Sequence, residues 1–185
     1  MTLLQVMAEG DRDDVLLRTT DLAVIAAELA PFNITLEQWD TVELSDDAGQ
    51  DEVLEAYKAD VEKVSKEGEY RLVDVVRMKP SDDPEWPAKA KGAREKFLNE
   101  HTHDEDEVRF FVEGSGAFYL RKAGRVFKVV CTKDDLISVP AGTTHWFDMG
   151  PAPRFTAIRL FENSDGWIAR FTGDTIARRF PLYAG

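Results

Sequence analysis

Apolar residues recur at two different periods along this chain, and the change from one to the other falls close to residue 70. Leu22, Ile25, Ala26 and Leu29 follow helical spacing, as do Val53, Tyr57, Val61 and Val64 in a segment that runs out near Gly68. Residues 1–68 therefore read as mainly helices and connections, with amphipathic helices covering a sheet. The charge-rich stretch Asp46 to Glu52 reads as a solvated loop and helix start. From Tyr70 to Met78 the period falls to two, in a β-branched run closed by Pro80.

Beyond that strand, Lys79 to Pro87 holds three prolines and a tryptophan, which predicts an irregular but packed loop over 79–92, either a lid or a plain crossover. Short strands then alternate with turn signals. The predicted strands are Val108 to Val112, Ala117 to Lys122, Val126 to Cys131, Leu136 to Val139, His145 to Met149 and Arg154 to Phe161. Glu113-Gly114-Ser115-Gly116 and Ala123-Gly124 read as the turns between the first three. So many short strands at even spacing predict a sandwich or barrel over about 70–162, and Trp167 to Arg179 reads as a short helix and irregular tail. The expectation is one mainly β domain with flanking helices, spanning 1–185.

Composition leaves that picture in place: 43% hydrophobic and 10% aromatic residues over 185 positions suit a single domain with a sizeable core. The one cysteine, Cys131, excludes an internal disulfide and reads as a buried, inert thiol at a strand end. Met1 to Met7 lacks a basic start and a long apolar core, and no stretch approaches the roughly 20 apolar residues of a membrane span, so a cytoplasmic protein is expected. Thirty-five acidic side chains against 23 basic ones, a net charge of -12, argue against nucleic acid and anionic membranes as partners. Nothing resembles a heptad seam or a long exposed apolar strand, so a monomer is expected.

Candidate chemistry is concentrated in the histidines. The chain has three, His101, His103 and His145, and the first two are followed by Glu107. Imidazoles and a carboxylate suit a borderline divalent ion such as iron, nickel, cobalt, manganese or zinc. On an extended strand His101 and His103 share a face, and Glu107 has the same parity but lies about 13 Å further along at the usual rise per residue. The polar run Asp104-Glu105-Asp106 provides a turn that folds Glu107 back opposite the histidines, with His145 arriving from a second hairpin. Any of the three acids in that run is a rival to Glu107, and its spacing favours Glu107.

An octahedral ion held by three neutral imidazoles and one carboxylate keeps a charge near +1 and two open coordination positions, enough for a chelating ligand. Zinc hydrolysis fits less well, because four protein ligands close a tetrahedral site. Arg109, two residues beyond Glu107, shares the ligand face and could pair with substrate oxygens; a surface ion pair with Glu105 or Glu113 is the plainer alternative. Arg159 shares a strand face with Phe155 and Phe161, so it needs an anion in the barrel mouth or a buried acid such as Glu100.

His101-Thr102-His103, Glu107, Gly114 and Pro140-Ala141-Gly142-Thr143-Thr144-His145 resemble the two motifs of the cupin superfamily. That resemblance implies a jelly-roll β-barrel holding a metal by three histidines and a glutamate. Glu95 and Asp134 stand where a cupin usually has glycine. A longer match covers Phe97 to Gly114, Asp135 to Pro140, His145 to Gly150, Phe155 to Phe161 and Gly166 to Ala169, which strongly resemble the signature of the acireductone dioxygenase family.

The resemblance implies oxidation of 1,2-dihydroxy-3-oxo-5-methylthiopentene by molecular oxygen in methionine salvage. With Fe(2+) the implied products are formate and 4-methylthio-2-oxobutanoate; with Ni(2+) they are 3-methylthiopropanoate, formate and carbon monoxide. Co(2+) and Mn(2+) are conceivable substitutes. It further implies His101, His103, Glu107 and His145 as metal ligands and Arg109 as the residue that favours the substrate dianion. Phe97, Phe147 and Trp167 become candidate walls around the methylthio tail, with core packing as the alternative for each. Glu100 and Asp106 flank the ligands, where they could orient an imidazole or assist metal loading, or be plain solvated acids. Two other readings stay open. A sugar-phosphate isomerase on the same barrel would show more lysine or arginine near its pocket. A non-catalytic metal- or ligand-binding barrel is normally joined to a DNA-binding module, and no basic helix-turn-helix is visible.

Overall fold

A computed structural model describes residues 1–164 and 167–185 of the chain, leaving Gly166 of the longer match outside the described residues. Its strands are β1 (Leu3–Ala8), β2 (Asp11–Thr19), β3 (Thr35–Gln38), β4 (Leu72–Met78), β5 (His101–Thr102), β6 (Glu107–Lys122), β7 (Arg125–Thr132), β8 (Asp135–Val139), β9 (His145–Asp148), β10 (Phe155–Phe161) and β11 (Arg170–Phe171). The helices are α1 (Leu22–Leu29), α2 (Gln50–Ala56), α3 (Lys58–Glu67) and α4 (Trp86–Phe97). One antiparallel sheet runs β11-β5-β9-β6-β7-β1-β2. A second antiparallel sheet runs β4-β10-β6-β8-β3.

β6 belongs to both sheets and joins them. Its first half pairs with β8 and β10, its second half with β7 and β9. The Glu113-Gly114-Ser115-Gly116 stretch, expected as a hairpin turn, is the corner of this single 16-residue strand. Gly114 sits in the left-handed region at φ +75, and the β6–β10 register slips beside it, between Thr156 and Ala157. The slip inverts the inward parity: Glu107, Arg109 and Phe111 face inward before it, Phe118 and Leu120 after it. A Cβ at Gly114 would lie 1.9 Å from the Arg154 carbonyl oxygen. Gly114→Ala is therefore expected to cost about 3 kcal/mol and lower Tm by roughly 5–10 °C in a thermal melt, with a change under about 1 °C contradicting the corner assignment.

Three apolar clusters hold the layers together. Inside the barrel, Leu4, Val6, Phe111, Phe118, Phe127, Ile137, Phe147 and Phe155 pack together, closed at one end by Ile25 and Leu29 of α1. On the outer face of the second sheet, Phe110, Ile158 and Leu160 meet Val53 and Tyr57, with Trp39 stacked on Phe110 at 4.3 Å. On the outer face of the first sheet, Tyr119 and Trp146 stack at 5.1 Å under Ile176 and Phe180 of the C-terminal tail. Among the described residues, no helix is long and apolar enough to cross a membrane.

The mainly β architecture with flanking helices agrees with the sequence pattern, but three local expectations are corrected. The chain opens with strands, since β1 and β2 form a hairpin with β1 added to the barrel beside β7. β2 is largely exposed, so its polar sequence carries no inward alternation. The stretch expected as a loop over 79–92 is half helix: α4 starts at Trp86 with Pro87 in its first turn, where a missing amide proton costs nothing. Phe97 ends this helix, which packs on β9. Trp167 to Arg179 contributes the two-residue strand β11 and a 3-10 turn at Ile176–Arg179. Asp134, at a cupin glycine position, takes up the left-handed geometry itself at φ +75, and Glu95 lies within α4, where no such geometry is required. Burial pushes the Cys131 thiol well above its ordinary pKa, in line with an inert thiol.

Candidate metal centre

His101 pairs with His145 across β5 and β9, and His103 follows on the same chain, so three imidazoles from two elements meet at one barrel mouth. One ring nitrogen from each lies within 4.8 Å of the others, and all three residues are buried. Every Nδ1 lies near a backbone carbonyl oxygen: Asn99 at 2.7 Å for His101, Ile168 at 3.0 Å for His103 and Thr143 at 2.7 Å for His145. A carbonyl only accepts, so these partners assign the proton to Nδ1 and leave the Nε2 lone pairs for the centre.

Glu107 completes the convergence from the start of β6. Its Oε2 stands 3.0 Å from His145 Nε2 and 3.3 Å from His103 Nε2. The rival acids are engaged elsewhere. Asp104 pairs with Arg170, Glu105 accepts the Glu162 and Asn163 amides, and Asp106 accepts Tyr70 Oη and the Ala141 amide. Lone pairs and a carboxylate facing one another at such distances are repulsive unless a positive charge lies between them, either a proton on Nε2 or a metal ion. A divalent cation supplies that charge, and the donor set suits it. Burial and the nearby His145 pull His101 down to about 4, keeping it neutral. Burial opposes protonation of His103 as well, but its hydrogen bond to Glu107 prevails and raises it. Burial alone would raise Glu107; Arg109 and the two histidines reverse this and hold it well below the usual carboxylate range.

Arg109 is buried behind the carboxylate, donating from one terminal nitrogen to Glu107 Oε1 at 2.9 Å. Among the described residues its Nε has no hydrogen-bond partner. The guanidinium faces the Phe147 ring at 4.4 Å, Trp167 at 5.3 Å and Phe118 at 5.4 Å. Phe97 lies 6.5 Å from the His101 ring and Trp167 6.4 Å from that of His103, so all three expected aromatic residues border the centre.

Arg159 is placed differently from expectation. The acid it needs is the half-buried Asp74 and not Glu100; Asp74 accepts from its Nε at 2.8 Å and from a terminal nitrogen at 2.6 Å. Glu100 is buried and accepts from Arg121 at 3.2 Å and from Thr172 Oγ1 at 2.8 Å, tying β5 to the tail on the side away from the histidine rings. Asp106 accepts Trp167 Nε1 on its backbone oxygen at 3.1 Å and the Ala141 amide on its side chain at 2.9 Å. It braces Trp167 and the turn that delivers His145.

Phe118, Phe171 and Asp74 were missed from the sequence. Asp74 had a signal, a lone acid in the β-branched run Leu72 to Val76, whereas Phe118 looked like an ordinary strand residue and Phe171 fell in the stretch read as short helix and irregular tail. Phe171 lies 5.8 Å from the His101 ring.

A two-sheet barrel with three inward imidazoles and a carboxylate at its mouth defines a metal-binding cupin. The ARD/ARD' family profile matches residues 4–169, and the chain belongs to that family. It is 59% identical to acireductone dioxygenase 1 of Nocardia farcinica over 98% of this chain and 96% of that protein. It is 57% identical to the acireductone dioxygenase of Parvibaculum lavamentivorans over 99% and 97% of the two chains. Among solved structures, it is similar to acireductone dioxygenase from Bacillus anthracis with a cadmium ion in its active center. That likeness has a TM-score of 0.76 at 25% identity, covering 92% of this chain and 98% of the other.

Proposed function

We propose that the chain is an acireductone dioxygenase, oxidising 1,2-dihydroxy-3-oxo-5-methylthiopentene with molecular oxygen at an Fe(2+) or Ni(2+) centre. Its ligands are His101, His103, Glu107 and His145. The observation that carries the reading is the meeting of Glu107 Oε2 with two imidazole Nε2 atoms at 3.0 and 3.3 Å, every Nδ1 being held by a carbonyl. When bound, the ion supplies Lewis acidity toward the enediol oxygens and the means to engage dioxygen.

The protein residues do the rest. Arg109 offers its unpaired Nε and its charge to a substrate oxygen, lowering the pKa of the enediol hydroxyl and favouring the dianion. Glu107 holds the guanidinium in place, and Phe147, Phe118 and Trp167 close around it, so the charge acts through a medium poor in water. Phe97 and Phe171 stand beside the His101 ring and keep bulk solvent from that edge. The carbonyls of Asn99, Ile168 and Thr143 fix the ring orientations. An oxygen electrode tests this directly. Chelator-stripped protein is expected to consume no oxygen with the acireductone, and added Fe(2+) to restore uptake; uptake that survives full metal removal contradicts the reading.

A further inference from the structure

At the open edge of the second sheet lies a cleft of about 450 Å3, lined by Leu72, Asp74, Arg159, Phe161 and Trp167 among others. It falls within the usual size of a small-molecule site. It also adjoins the metal centre. Trp167 lines the cleft and borders the His103 ring, and Arg159 is directly opposite Arg109 in the β6–β10 register. Asp74 is opposite Arg159 in turn, so Arg109, Arg159 and Asp74 form one row across three strands.

The two arginines are not equivalent. Arg109 has a buried nitrogen to spare, whereas Asp74 holds the Arg159 fork by two hydrogen bonds. The rest of that wall is apolar: the Arg159 guanidinium lies 5.1 Å from the Phe161 ring and 5.5 Å from Trp167, with Leu72 alongside. An uncharged chain entering here meets aromatic faces and a neutralised ion pair. An anionic chain meets the Asp74 carboxylate and finds Arg159 neutralised, with Nε and one terminal nitrogen already engaged.

We propose that this cleft receives the substrate tail beyond the chelating carbons, and that Asp74 restricts it to uncharged tails by withholding Arg159. The proposal rests on the acireductone reading. Asp74 acts through Arg159 and is a positioning residue that sets specificity.

Anaerobic titration calorimetry on the nickel-loaded enzyme tests it without turnover, using acireductones with a methyl group, a methylthioethyl tail or a carboxyethyl tail. The methylthioethyl ligand is expected to bind most tightly, and the carboxyethyl ligand about tenfold more weakly than it. Asp74→Asn should close that gap by about tenfold through a gain on the carboxyethyl ligand alone, because the freed fork can pair with it. Adding Arg159→Met to Asp74→Asn should erase the gain. A ratio of this kind is insensitive to general loss of folded protein. Should Asp74→Asn fail to fold, Leu72→Trp narrows the cleft from its exposed rim and should weaken the methylthioethyl ligand more than the methyl one. Equal binding of all three ligands, or a ratio unmoved in the folded variant, overturns the proposal while leaving the dioxygenase reading intact. No binding of any acireductone to fully loaded enzyme overturns both.

Discussion

His103→Ala is expected to give a folded barrel that retains no divalent ion and turns over the acireductone at least about a hundredfold more slowly. Two facts set the direction. The imidazole provides one of three ring nitrogens within 4.8 Å of one another, and its Nε2 is 3.3 Å from Glu107. Its removal leaves the Glu107 carboxylate and two rings, one donor fewer and one more open position, so the ion is held more weakly and is lost on dialysis against a chelator. The fold should survive, because the loss is one hydrogen bond to the Ile168 carbonyl and a small void at the mouth, on the order of 1–3 kcal/mol. The check is metal content by atomic emission beside circular dichroism and oxygen uptake. Full occupancy with activity lost would remove His103 from the ligand set.

Arg109→Ala should act on the chemistry and spare the metal. Losing a preorganised donor in a dry site costs roughly a hundred- to a thousandfold in kcat, and the red-shifted absorbance of bound substrate dianion should weaken under anaerobic conditions. Lys at this position should recover little, since an ammonium cannot keep one donor on Glu107 while aiming another from Nε between three aromatic rings. Normal turnover with an unchanged spectrum would exclude Arg109 from the mechanism. Comparison at equal metal content separates this outcome from that of His103.

These two residues were accessible from sequence because the relevant distances are local. His103, Glu107 and Arg109 lie within seven positions, and strand parity with one polar turn brings them together. His145 opens β9, a short buried strand that follows a Pro-Ala-Gly turn signal. The β body, α1 and the helical stretch of α2 and α3 were legible for the same reason, since each has an apolar face at its own period, but the break at Tyr57 that divides that stretch in two was not. The parts that escaped depend on distant partners. β1 and β2 are strands because β1 completes the sheet beside β7, and β2 shows the core almost nothing. The Gly114 corner looks like a hairpin turn in sequence; only the β10 register reveals a strand passing between sheets. Arg159 plainly required an acid, yet its partner lies 85 residues away, on a strand no local pattern could pair with β10. Glu100 and Arg121 are another such pair, with the tail residue Thr172 completing it.

The central claim is that one buried centre of three histidines and Glu107 carries out a metal-controlled oxidation of an acireductone. Stripping the protein, reloading separate samples with Fe(2+) and Ni(2+), and analysing oxygen uptake and products tests it most directly. The expected result is oxygen uptake by both forms, with formate and 4-methylthio-2-oxobutanoate from the iron sample and carbon monoxide, formate and 3-methylthiopropanoate from the nickel sample. No oxygen uptake by either form at full metal occupancy would contradict the account.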